Sequence, residues 1–425
     1  MNEDFLQFIW RFRYFNSRSL TTSAGETLEI TKPGEYNTDG GPDFLNARIR
    51  IGSTQWAGNV EVHLNASDWL KHKHHSDKLY DNIILHVVYN NDYSVLRLNK
   101  EMIPVLELKS LIPEDIYRNY INIVNSKQWI PCEGLIKQAD PLIIGSWMDR
   151  VLLERLERKI DSINTILRLH KNSWEHAFYI HLARNFGFNL NAEPFEMLAK
   201  DTPLSNLAKH KNSLFQLEAI LFGQSGLLRK NMNDKYADSL FQEYSILKQK
   251  FDLTPIKGHL WKFLRLHPSG FPTIRIAQFA SLIYKSTHLF SKVLEENKIS
   301  EIEKLFEAEC SEYWQTHYVF GKESPHRSKR IGRSTIENII INTVSPFLFI
   351  YGVQKKEEKF KNRAIRFLEQ IEGEKNSVIT KWKFLGAPYK TAANTQALLE
   401  LKNNYCAQKR CLNCGIGNYL LKKGK

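Results

Sequence analysis

The sequence predicts an α/β domain at the N-terminus followed by a large all-α domain. Three observations lead there: apolar residues alternate with period two between residues 45 and 64, a compact apolar run follows at 83–89, and from about residue 141 the apolar period becomes helical. At 425 residues the chain exceeds one ordinary domain. The change of texture divides it into an α/β domain over 1–120, a basic helical domain over 121–400 and a cysteine-rich tail over 401–425.

In the first 100 residues each element has its own signal. Phe5, Phe8, Ile9 and Phe12 in "DFLQFIWRFRYF" share one face of an opening helix over 4–15. "ETLEITKPGEYNTDGGPDF" reads as a short strand, a Gly/Asn/Asp-rich turn and a Pro-Asp pair. "LNARIRIG" alternates Ala47, Ile49 and Ile51, and "WAGNVEVHL" alternates Trp56, Val60, Val62 and Leu64, so both are strands. Ser67-Asp68 opens "SDWLKHKHHSDKLYDN" as a helix cap would, and "IILHVVY" is a compact apolar run typical of a buried strand. The order is helix, three strands, helix, strand.

Beyond residue 141, Trp147, Val151, Leu152, Leu156, Ile160, Ile163 and Leu167 form one stripe of a long amphipathic helix. Helical patterns continue through "SWEHAFYIHLARNFGF", "ADSLFQEYSILKQKF" and "TIENIIINTVSPFLFIYG", broken by Gly and Pro as in "GQSG" and "HPSGFPT". Trp147, Trp174, Trp261 and Trp314 sit in apolar stripes and are expected in the core. No fixed-period repeat is present, which excludes a solenoid.

Composition narrows the class of function. Apolar content of 42% and charged content of 25% are those of an ordinary globular protein, and no stretch reaches the roughly 18 uncharged apolar residues of a membrane span. Met1–Phe5 lacks a basic n-region, so a cytoplasmic protein is expected, without membrane contact. Net charge is +13, unevenly placed: residues 1–120 hold 13 Lys and Arg against 16 Asp and Glu, and the rest is +16. Such a division suits a protein that grips a polyanion with one part and does chemistry with another, although a solvated basic surface gives the same count.

The Pro42-Asp43 pair on one strand and Glu61-Val62-His63 on the next, within an αβββαβ order, resemble the core of PD-(D/E)XK nucleases. That resemblance implies a restriction-endonuclease-like mixed sheet, with Asp43 and Glu61 ligating Mg²⁺ or Mn²⁺ and His63 in the position of the lysine that orients or activates water. The spacing agrees, since Glu61 and His63 lie two apart on a strand and face the same way, and hard carboxylate oxygens suit these ions. A histidine in place of lysine leaves its role open between base, ligand and spectator. Asp39 and Glu35 stand just upstream as further ligands, with Glu3, Asp4 and Glu26 as weaker ones. The duller reading makes Asp43 a turn residue and Glu61 and His63 the wet half of a strand, but it must also account for Asp68, His72, His74, His75, Asp77, Asp81 and His86. His72, His74 and His75 suit a transition metal or contact with phosphate. Glu107-Leu108-Lys109 is a literal Glu-x-Lys without a nearby Pro-Asp, and ranks second.

Five cysteines, three of them in "YCAQKRCLNCGIG", argue against a secreted disulfide framework. Cys406-x4-Cys411-x2-Cys414 has metal-ligand spacing for zinc or an iron–sulfur cluster, one ligand short of a closed site. Cys132, Cys310 or a histidine must complete it. Some nucleases of the resembled superfamily join one distant cysteine to a C-terminal trio, which here would recruit Cys132, with a different order of spacings. Three unlinked thiols beside an apolar face are the alternative.

His326, Arg327, Lys329, Arg330 and Arg333 precede a helix start at Ser334-Thr335, a phosphate-binding arrangement or a solvated loop. His267, Phe271 and Arg275 on a Gly/Pro turn could stack on a base or plug a helix junction. As a whole, through "GGPDF", "GNVEVHLNASDW", "HHSDKLYDNIILHVVY", "ERLERK", "EAILFGQSGLL", "GFPTIRIAQFA" and "CLNCGIG", the chain resembles a bacterial family of unknown function. The expected activity is metal-dependent phosphodiester hydrolysis of nucleic acid. The alternatives are a non-catalytic nucleic-acid-binding protein on a degenerate nuclease fold and a metal-dependent hydrolase of another substrate.

Overall fold

The computed structural model describes residues 1–97, 99–286 and 288–423. They form two compact units, one of residues 1–148, 384–387 and 400–425, the other of 149–383 and 388–399. The first boundary thus falls later than residue 120, and the cysteine-rich tail is part of the N-terminal unit rather than an appendage.

In that unit α1 spans Glu3–Phe12. Asn2 caps it by accepting the Phe5 amide at 3.1 Å, Glu3 and Asp4 suit its first turn, and Arg13 ends it in the left-handed region at φ 54°. Its apolar face buries Phe5, Leu6, Phe8, Ile9 and Trp10. The strands are β1 (Leu28–Lys32), β2 (Glu35–Tyr36), β3 (Phe44–Ile51), β4 (Thr54–Asn65), β5 (Ile83–Asn90) and β6 (Val105–Glu107). Their order is β1-β3-β4-β5-β6, with β2 pairing β3. β1–β3 and β3–β4 are antiparallel, whereas β4–β5 and β5–β6 are parallel. Every β5 residue from Ile83 to Val88 is buried, which explains an apolar run interrupted only by His86.

The segment between β4 and β5 is not the single helix its polar-apolar pattern predicts. It is a short α2 (Asp68–Lys71) followed by two single 3₁₀ turns, His74–Ser76 and Lys78–Tyr80. Lys73 at φ 63° stops the helix, and Ser67 does not cap it, because its hydroxyl donates to Asp92 Oδ2 at 2.7 Å. α3 (Glu114–Val124) then returns to α1, with the Phe5 and Tyr120 rings stacked at 4.5 Å. Cys411 and Leu421, from the chain's far end, are buried in the same core.

The second unit is helical apart from a short hairpin, His317–Val319 with Lys322–Glu323. The long helix expected from residue 141 breaks at Lys159 into Pro141–Arg158 and Ile160–Leu169. Trp261 and Trp314 are core residues, while Trp147 in the first unit and Trp174 in the second are half-buried. The helical run Arg333–Lys355 is long and apolar enough to cross a membrane by length and composition, but 72% of its 18-residue apolar window is buried inside the protein. Its middle, Ile340–Val344, is a π-helix.

Candidate metal centre

Strand β4 presents Glu61 and His63 on one face, as their spacing requires, and Asp43 enters at the start of β3. His86 lies on the adjoining parallel strand, in register with Glu61. The broken segment after β4 supplies His72 and His74, and the break at Lys73 is what allows two residues of one short loop to turn toward the sheet.

The side chains meet closely. His63 Nδ1 lies 2.8 Å from His86 Nε2, and His63 Nε2 lies 3.1 Å from His72 Nδ1. Glu61 Oε1 is 3.5 Å from His63 Nε2 and 3.3 Å from His74 Nε2. Donor atoms of His63, His72 and His74 all lie within 4.8 Å of one another. Glu61 Oε2 accepts the Asp43 amide at 3.1 Å. Asp43 in turn accepts from the Gln7 side chain at 2.8 Å and from the Val62 amide at 3.0 Å. His74 stacks on Tyr80 at 3.8 Å between ring centres, which fixes its plane.

Burial dominates the electrostatics. It pushes the Asp43 carboxyl up to about 7, helped by the Glu61 charge, and Glu61 up to about 8. The same desolvation lowers His63 to about 2 and His86 to about 3, with neighbouring imidazoles adding to it. Glu3 on α1 faces this cluster and is raised by burial, a pull that His72 opposes. Among the described residues the ion partners of Glu61 are histidines, with no lysine or arginine.

This donor set fits a divalent cation. His74 Nε2 is buried without a hydrogen bond, and so is Nδ1 of His86. If His63 donates Nδ1–H to His86, its Nε2 lone pair is left facing His72 and Glu61, the outer hydrogen bond that metal-bound histidines ordinarily make. One carboxylate with three imidazoles favours Mn²⁺, Zn²⁺ or Fe²⁺ over Mg²⁺.

Of the residues singled out in the sequence, Asp43, Glu61, His63, His72 and His74 converge. Asp39 does not: it is exposed on the turn, its amide bonded to Asn37. Glu35 is exposed and paired with Lys32, Glu26 is exposed, and His75 is exposed beside His74. Glu107, the second-ranked carboxylate, accepts the Asn91 amide. Gln7 was missed, since nothing in an amphipathic helix marks one polar residue as facing a strand end. His86 was noted only as one of many histidines. Its position inside an otherwise apolar buried strand was the usable signal.

Cys132 lies in the same unit as Cys406, Cys411 and Cys414, whereas Cys310 is buried in the helical unit with its thiol toward Ile274 O. The basic loop is only partly exposed and free of ion pairs. His326, Arg327, Arg330 and Arg333 are exposed, but Arg330 pairs with Glu309 and Arg333 with Glu337. Lys329 must be removed from the set: it is 4% exposed, and its ammonium donates to the Trp314 and Gln315 carbonyls. Phe271 packs on Phe263 and Arg275 lies over Phe188, the junction-plugging alternative.

The profile of one protein family, described as "Protein of unknown function (DUF2851)", matches residues 3–377. No curated protein and no solved structure matches the chain.

Proposed function

The chain belongs to the DUF2851 family, whose function is unknown, and from its own residues we propose a metal-dependent phosphodiesterase acting on nucleic acid. The observation that carries this reading is the convergence of Asp43, Glu61, His63, His72 and His74 in one cluster, with Glu61 and His63 buried, His74 half-buried and His72 at its exposed edge. The strand directions support it: antiparallel, antiparallel, then parallel across a crossover, with a helix in front, is the arrangement the PD-(D/E)XK resemblance implies.

A basic cleft supports an anionic substrate. A cavity of about 300 Å³ in the N-terminal unit is lined by Gln7, Arg11, Tyr36, Lys409 and Arg410 among others, three cations against the one carboxylate of Asp4, with the Lys409 ammonium also donating to the Val124 carbonyl. Gln7 joins it to the cluster, accepting from the Tyr36 hydroxyl at 3.1 Å and donating to Asp43. Arg11 lies over the Tyr36 ring at 5.1 Å.

In this reading Glu61, His63, His72 and His74 hold the ion. When bound, it supplies Lewis-acid polarisation of a phosphoryl oxygen and a water of lowered pKa. Of the roles left open for His63, the ligand is the one its geometry favours, because Nδ1 meets His86 at 2.8 Å while Nε2 lies 3.1 Å from His72 and 3.5 Å from Glu61. Asp43, near 7, is the better-matched proton acceptor and also anchors the Val62 amide beside Glu61.

The test is incubation of single-stranded, duplex and branched DNA and RNA with Mn²⁺, Zn²⁺ and Mg²⁺. Cleavage with Mn²⁺ or Zn²⁺ that Glu61→Gln and His74→Ala abolish, with unchanged circular dichroism, is the expected result. Survival of every substrate with every metal, while binding persists, sinks the enzyme reading in favour of a non-catalytic binding protein.

A further inference from the structure

Three of the four cysteines of the N-terminal unit stand in its tail, and Cys132 stands in a remote turn of the same unit. Two remote stretches of chain are tied together around them. Lys402 Nζ donates to Trp129 O at 2.6 Å and Lys423 Nζ to Gln138 O at 2.5 Å, bracketing the turn that carries Cys132. In that turn the Leu135 and Ile136 amides both donate to the Cys132 carbonyl. Opposite it the π-helix Leu401–Cys406 unwinds, Lys409 adopts φ 52°, and Cys411–Asn413 makes one 3₁₀ turn. Cys414 then opens the helix Gly415–Lys422, its carbonyl accepting the Asn418 amide at 2.8 Å.

The glycines of "CGIG" are required by this packing. A Cβ on Gly417 would stand 2.3 Å from the Cys411 carbonyl oxygen, and one on Gly415 would stand 2.7 Å from the Trp147 indole. The four thiols feel one another's charge: Cys411 and Cys414 act on Cys132, and Cys132, Cys411 and Cys414 act on Cys406. Burial pushes the Cys132 and Cys411 thiols up to about 12, so gathering them without a metal gains nothing by ion pairing.

We propose that Cys132, Cys406, Cys411 and Cys414 ligate an iron–sulfur cluster that clasps the C-terminal segment onto the N-terminal unit. The trio spacing x4 then x2 is one that holds such clusters, here with the fourth cysteine upstream. The clasp has a consequence for the cleft, because Lys409 and Arg410 on its wall lie between the first two cysteines of the trio.

The test is full-length protein purified without oxygen and assayed for iron, acid-labile sulfide and sulfur-to-iron charge-transfer absorption. Iron and sulfide in stoichiometric amounts are expected. Cys132→Ser and Cys411→Ser should each remove the absorption, while Cys310→Ser and His74→Ala keep it. The wild-type content decides by itself, independently of whether the serine variants fold. Wild-type protein that carries no cluster even after anaerobic reconstitution with iron and sulfide overturns the proposal, as does stoichiometric zinc on these thiolates in place of iron. Retention of the full absorption by Cys132→Ser overturns the assignment of the fourth ligand.

Discussion

At the scale of residues, the histidine–carboxylate cluster makes stability depend on pH in a way whose sign can be worked out. Asp43 and Glu61 have folded values raised to about 7 and 8 from 3.8 and 4.5, so their contribution is present in acid and lost as pH rises through those values. His63 and His86 are depressed from 6.5, so theirs is present above 6.5 and lost as pH falls. Between the carboxylates' unfolded values and 6.5 the two effects oppose; between 6.5 and 8 only the carboxylates change. Metal-free protein should therefore lose thermal stability from pH 6.5 to 8, and Glu61→Gln should flatten that loss. Added Mn²⁺ should raise Tm more at pH 8 than at pH 6, because binding then displaces fewer protons. His86→Ala, which removes the outer hydrogen bond together with a buried ring packed on Trp69, should weaken metal affinity on the order of 10- to 100-fold, measured by calorimetry. Asp43, Glu61 and His63 were legible because strand alternation fixes which residues share a face. The partnership of His72 and His74 rather than His75 was not, since it depends on a left-handed Lys73 that composition does not announce.

Elements show the same division. The strands of the N-terminal sheet follow from local periodicity, but β6, three residues long, has too few positions to display any. The segment 67–80 carries a polar, helix-like composition and still breaks, because Asp68 is spent on the Asn65 amide and Lys71, and Ser67 on Asp92. Glycine at position 58 is what lets β4 lie against the start of β5: a Cβ there would meet Ile84 Cγ2 at 2.4 Å and the Asn82 carbonyl at 2.7 Å. Gly58→Ala should cost about 1–3 kcal/mol in denaturant unfolding. It should also weaken metal binding, because β4 carries Glu61 and β5 carries His86. A Gly58→Ala protein of wild-type stability would mean the two strands separate freely there.

Over the whole molecule, the change of texture in the sequence located a helical region but misplaced its edges, because packing rather than local pattern assigns 121–148 and 400–425 to the N-terminal unit. The charge asymmetry was legible, yet its use was not: Lys329 looks like a phosphate ligand in sequence and instead ties down two carbonyls. If the cleft of Arg11, Lys409 and Arg410 receives nucleic acid, replacing all three by Ala should weaken binding and lower the slope of log affinity against log salt by up to about 3, at roughly 0.9 per phosphate contact on duplex DNA. Alanine at Arg327, Arg330 and Arg333 should lower it less, two of these being engaged by Glu309 and Glu337. Equal slopes for wild type and the cleft variant would remove the cleft from the binding surface.

The most direct test of the metal centre is a crystal soaked in Mn²⁺ and measured for anomalous scattering. The expected result is one strong peak bonded to Glu61 Oε1, His63 Nε2, His72 Nδ1 and His74 Nε2, with His63 Nδ1 still hydrogen-bonded to His86. A crystal in which no peak appears there at saturating Mn²⁺ or Zn²⁺, and in which His63 and His72 remain in direct hydrogen bond, would contradict it.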